Sequence, residues 1–79
     1  MEEKIEVIKY NFDVDKEKFN VYQIDNENTI DFYIERIKYD NLYHCIGILK
    51  KDKPTNIKEF INQSLDNWIF IVMNETEED

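Results

Sequence analysis

Between Thr29 and Tyr39 the chain alternates with period two, Ile30, Phe32 and Ile34 against Asp31, Tyr33 and Glu35. Successive side chains of a strand point to opposite faces, so this pattern predicts a β-strand with one apolar and one polar face. A half-buried strand needs partners, and the flanking segments supply them. Lys4 to Phe12 is dense in β-formers (Ile5, Val7, Ile8, Tyr10, Phe12), with one slip of the alternation between Val7 and Ile8 that reads as a bulge. After the polar stretch Asp13 to Lys18, Phe19 to Ile24 resumes the pattern, giving a hairpin. Asp25 to Asn28 forms the next turn and Asp40-Asn41 a two-residue turn, followed by a fourth strand from Leu42 to Leu49.

Pro54 ends the strand-rich part, and Thr55 is placed to cap a helix in which Ile57, Phe60, Ile61 and Leu65 form an apolar stripe to about Asp66. The run Trp68 to Met73 is apolar at every position; a helix continuing through it would be apolar all round, so a fifth strand is expected. The expected fold is α+β: a mostly antiparallel sheet of four to five strands with one amphipathic helix on one face. The element sequence is ββββαβ in spatial order 5-1-2-3-4, the last strand reaching the first by a right-handed crossover. Residues 1–74 form the single domain and 75–79 an acidic, mobile tail.

Seventy-nine residues bury only a modest share of their surface, roughly 60% of what the unfolded chain exposes. Further burial is expected through a homodimer formed by a sheet face or an edge strand. Cys45 is the only cysteine, which excludes an internal disulfide and points to a reducing, cytoplasmic setting; it reads as a small half-buried apolar residue. No apolar run reaches the ~18 residues of a membrane span. With Gly47 the only glycine, phosphate-cradling loops are excluded.

Chemistry-bearing motifs are sparse. Asp13-x-Asp15-x-Glu17 imitates the start of a calcium loop, but Lys18 and Ile24 stand where its glycine and closing glutamate belong. His44 and Cys45 are adjacent, so a strand sends them to opposite faces and they share no metal ion. Ser64 lacks the surroundings of an activated nucleophile for His44 to serve. The sequence therefore predicts no enzyme, no metal and no cofactor.

Charge is the stronger lead. Eighteen acidic residues against ten basic ones give a net charge of −8, which repels nucleic acid and anionic membranes and favours a protein partner with a basic surface. The cluster Lys50, Lys51, Lys53 and Lys58 is too small to reverse that field. The expected strand directions gather Asp13, Asp15, Glu17, Asp40 and Asp66 at one end and Asp25, Glu27 and the tail at the other, while Asp31 and Glu35 flank Tyr33 on one strand. Rows of carboxylates can imitate phosphate spacing, and Tyr33, Tyr39 and Tyr43 would supply anchors. The candidate partner-binding residues are accordingly Asp13, Asp15, Glu17, Asp31, Tyr33, Glu35, Tyr39, Asp40 and Tyr43.

In size, acidity and strand-rich plan the chain resembles the small phage-encoded inhibitors of host nucleic-acid enzymes, among them anti-restriction, anti-CRISPR and uracil-glycosylase inhibitors. Its richness in Ile, Lys, Asn, Asp, Glu and Tyr fits an AT-rich source such as a low-GC bacterium, its phage or another mobile element. The resemblance is one of composition and assigns no residues. It implies a binding-only inhibitor, with DNA mimicry as the mode. An immunity protein or antitoxin against a nuclease would use the same electrostatics, and an assembly subunit would use the apolar sheet face instead.

Overall fold

The structure, a computed structural model, describes residues 6–76. It is an α+β fold of four strands, β1 (Glu6–Val14), β2 (Glu17–Asp25), β3 (Thr29–Arg36) and β4 (Asn41–Leu49), followed by one long helix, α1 (Ile57–Thr76). The strands form one antiparallel sheet in chain order, β1-β2-β3-β4. One turn of 3-10 helix (Ile37–Tyr39) links β3 to β4, and a second (Lys50–Asp52) follows β4.

The two-period alternation sets the faces. Ile30, Phe32 and Ile34 of β3 and Phe19 and Val21 of β2 are buried under α1, against Ile61, Leu65, Trp68 and Val72. Phe32 is the hub: its ring centroid lies 5.5 Å from that of Phe60 and 5.8 Å from that of Trp68. Tyr10, Phe12 and Val14 extend this core under β1, and Tyr43, Cys45 and Ile48 extend it under β4.

The fifth strand does not form. Trp68 to Met73 continues α1, so the spatial order 5-1-2-3-4 is replaced by four strands and β1 is left as an open edge. The helical period explains this. Trp68 and Val72 fall on the stripe begun by Ile61 and Leu65 and are buried, whereas Phe70 and Ile71 turn outward and stay 66% and 42% exposed. Twenty residues give a helix of ~30 Å, as long as the strands it covers. The far end of α1 therefore lies away from Lys50–Lys53. Residues 77–79 lie outside the described residues.

Other boundaries shift for local reasons. β1 pairs with β2 from Glu6↔Asp25 to Val14↔Glu17 with no slip at Val7–Ile8; the irregularity sits instead between β3 and β4, where Phe32 pairs with Ile46 and Tyr33 with His44, leaving Cys45 as the extra residue. The first turn is only Asp15-Lys16, both at positive φ (52° and 67°), the signature of a two-residue hairpin turn. β3 ends at Arg36 rather than Tyr39, and Asp40 alone adopts the left-handed conformation (φ 56°) that reverses the chain into Asn41. The helix is capped by Asn56 rather than Thr55, its Oδ1 accepting from the Glu59 amide at 3.1 Å.

Candidate functional site

α1 covers one face of the sheet, and among the described residues no second layer covers the other. Outward-facing residues meet there in rows set by the strand register: Lys9, Tyr22, Tyr33 and His44 form one row across all four strands, and Asn11, Asn20, Glu35 and Leu42 form the next. Val7, Ile24 and Asp31 belong to a third. Tyrosine rings and hydrogen-bonded polar groups stand on the two central strands, and the edge strands add both apolar (Val7, Leu42) and basic (Lys9, His44) side chains.

Hydrogen bonds fix its side chains. Glu35 Oε1 accepts from the Tyr22 hydroxyl at 2.7 Å and from Asn20 Nδ2 at 3.0 Å. The Asn20 amide, and after it the Tyr22 hydroxyl, hold the Glu35 carboxyl below the usual carboxylate range, so Glu35 is an anion at neutral pH. The same bond pushes the Tyr22 hydroxyl up, keeping it protonated as the donor. Asp31 accepts from Asn26 Nδ2 at 2.8 Å, and its Oδ1 lies 3.2 Å from His44 Nε2. The His44 ring tilts against that of Tyr33, with centroids 4.9 Å apart. Gly47 serves this arrangement by being small: a Cβ there would lie 2.6 Å from Asp31 Oδ1.

A shallow cleft of about 320 Å³ opens on this face, lined by Val7, Tyr22, Ile24, Tyr33, Glu35, Asp40 and Leu42. Both charged residues in its wall are carboxylates. Leu42 and Val7 are more than half exposed at opposite sides of it. The cleft thus combines apolar walls, two tyrosine rings and negative charge.

The nine residues singled out by sequence divide into several groups. Asp31, Tyr33, Glu35 and Asp40 come together on or beside the open face. Tyr43 faces the other way and packs against the core beneath α1. Tyr39 lies on the 3-10 turn with the Arg36 guanidinium 4.5 Å above its ring, at the end of the sheet. Asp13 pairs loosely with Lys18 at 3.6 Å, both exposed, and Asp15 occupies the hairpin turn. Glu17 is committed within the fold: Arg36 Nε donates to its Oε2 at 2.5 Å and Nη2 to its Oε1 at 3.2 Å, and that bond lowers the Glu17 pKa. Asp66 is an exposed mid-helix residue rather than part of the end cluster.

Sequence reasoning missed Tyr22, Asn20, Val7 and Leu42. The register that makes Tyr22 the cross-strand partner of Tyr33 was implicit in a turn between Asp25 and Thr29, but nothing in composition distinguishes Tyr22 from the other four tyrosines. Gln23 was also missed: 1% exposed, it accepts from the Tyr10 hydroxyl at 3.0 Å and donates to Asp25 at 2.9 Å, a buried polar link between β1 and β2.

Among the described residues, no three His, Cys, Asp or Glu side chains are grouped to hold a metal ion. Burial pushes the Cys45 thiol up to about 12, so it stays protonated. No helix among the described residues is both long and apolar enough to cross a membrane. No protein-family model matches the sequence, and neither the comparison with curated proteins nor that with solved structures finds a significant match.

Proposed function

We propose that this chain is a non-enzymatic binding protein that acts in the cytoplasm by occupying the basic surface of a nucleic-acid-processing or host-defence protein and so inhibiting it. The observation that carries this reading is the uncovered sheet face, where fixed carboxylates and tyrosine rings stand together on a molecule of net charge −8. Tyrosine anchors surrounded by charge suit a specific contact, and the overall field speeds the approach of a cationic partner. Asp31, Glu35 and Asp40 present negative charge on the face, and Asp13 and Asp15 continue it to the hairpin end. Such a surface competes with DNA for a Lys/Arg-lined channel, the mode of an anti-restriction or anti-CRISPR inhibitor.

The test is affinity capture from a host lysate with the tagged protein, eluted first by a salt gradient and then by duplex DNA, followed by an activity assay of any purified partner. The expected result is a basic nucleic-acid enzyme released by both eluents and inhibited by the added chain. Partners that withstand high salt and ignore DNA overturn the proposal.

A second reading, an assembly subunit or homodimer, is favoured by the exposed Phe70 and Ile71 on α1 and by the open β1 edge with exposed Val7 and Ile8. It predicts capture of the chain itself or of structural proteins, insensitive to Asp and Glu substitutions.

A further inference from the structure

We propose that the cleft between Tyr22, Tyr33 and Leu42 is a receptor for one arginine side chain of the partner, its guanidinium lying on the tyrosine rings and bonding to Glu35 and Asp40. This deepens the proposed function by naming what the open face recognises.

The cleft, at about 320 Å³, is at the small end of the roughly 300–1,000 Å³ range of ligand pockets, which suits one long side chain better than a folded segment. Its walls match such a side chain end to end. Val7, Ile24 and Leu42 offer apolar surface for a methylene stem, and the tyrosine rings offer π-faces for a cation. Both charged groups in the wall are carboxylates, so an anion is repelled and a cation is attracted. Glu35 is already oriented: both of its side-chain hydrogen bonds end on Oε1, and Oε2 accepts none from the described residues. A fork of N–H donors matches that free oxygen together with Asp40. A guanidinium is planar, weakly hydrated and able to stack and bond at once, whereas an ammonium is a strongly hydrated point charge. Of the basic side chains in the neighbouring row, Lys9 stands beside Tyr22 in the register and its charge is felt at Glu35, and His44 packs against the Tyr33 ring; neither lines the cleft.

The experiment titrates the isotope-labelled full chain with N-acetyl-arginine amide, and in parallel with the lysine and citrulline analogues, following backbone amide shifts. The expected result is saturable shifts at Tyr22, Tyr33, Glu35 and Leu42 with the arginine probe, at least about threefold weaker binding of the lysine probe, and none of the citrulline probe, which lacks the charge. Asp40→Asn, exposed and compatible with the left-handed backbone there, should weaken arginine binding several-fold with the rest of the spectrum unchanged. Glu35→Gln should abolish it, and Lys9→Gln should leave it intact or tighten it. Absence of saturable shifts, equal response to lysine, or indifference to Asp40→Asn overturns the proposal. Arginine binding without any DNA-competed partner would sink the inhibitor reading and leave the cleft standing; the converse would sink the cleft alone.

Discussion

Arg36 is the most demanding residue to accommodate. It is 7% exposed on the core-facing side of β3, where its register neighbour Phe19 is buried, and a guanidinium taken from water needs a counter-charge and geometry that uses its donors. Glu17 supplies two bonds and Tyr39 a ring face. Glu17→Gln removes the charge while keeping the shape. Because the Glu17 side chain retains some contact with water, the cost should be about 1–3 kcal/mol, below the 3–5 kcal/mol of a fully enclosed pair. The bond from Arg36 lowers the folded-state pKa of Glu17 below the ordinary 4.5, so the stabilisation is complete above that value and is lost as pH falls through the folded-state pKa. Urea unfolding of both proteins across pH should show a constant gap near neutrality that closes in acid. A gap unchanged in acid would mean that the bonds, not the charge, carry the stability. Neither partner is legible from sequence: Glu17 reads as one more turn carboxylate, and only the two-residue turn at Asp15-Lys16, which lacks the Asn-Gly signature, brings it opposite Arg36 across β2 and β3.

At the scale of elements, the alternation in β3 and its neighbours was readable because each strand has one buried and one open face. The helix was legible only to Asp66, since beyond it the apolar run satisfies helical and strand periods equally. The deciding factor is packing: Trp68 stacks on Phe32 at 5.8 Å and meets Phe60 at 6.3 Å, which requires the stripe to continue in register. The two periods make different predictions for single changes. Along a strand, Trp68 and Phe70 share a face; along α1 they diverge. Trp68→Ala should cost about 3–5 kcal/mol by emptying the core beside Phe32, whereas Phe70→Ala should change stability by no more than about 0.5 kcal/mol. Thermal or urea unfolding of the two variants is the check. Comparable losses would mean that Phe70 is also covered, by a second copy of the chain. The open-face cleft was partly legible for the same reason: Tyr33 and Glu35 follow from alternation, but Tyr22, Val7 and Leu42 enter by cross-strand register, which depends on turns of unpredicted length.

For the whole molecule, salt separates what holds the fold from what holds a partner. The core is mostly apolar, and close ion pairs among the described residues are few: the nearly buried Arg36 with Glu17 and the exposed Lys18 with Asp13, besides the His44 ring beside Asp31. Among the described residues most of the remaining carboxylates face solvent on a body measuring 45 × 27 × 19 Å, where excess negative charge opposes compaction. Screening reaches a Debye length of about 10 Å at 0.1 M salt, shorter than every dimension of that body. Raising sodium chloride should therefore stabilise the isolated chain, lifting its melting temperature by about 2–6 °C between low salt and about 0.5 M, as expected for a sub-kilocalorie to one-kilocalorie gain in a domain this small. The same salt should weaken a complex with a basic partner by at least about tenfold, because attraction across the interface is screened as repulsion within the chain is relieved. Scanning fluorimetry of the free chain and binding measurements on the complex at matched salt concentrations should move in opposite directions. A melting temperature that falls with salt would mean that the surface charges stabilise one another within the fold, leaving no unbalanced negative field to draw a cationic partner to the open face.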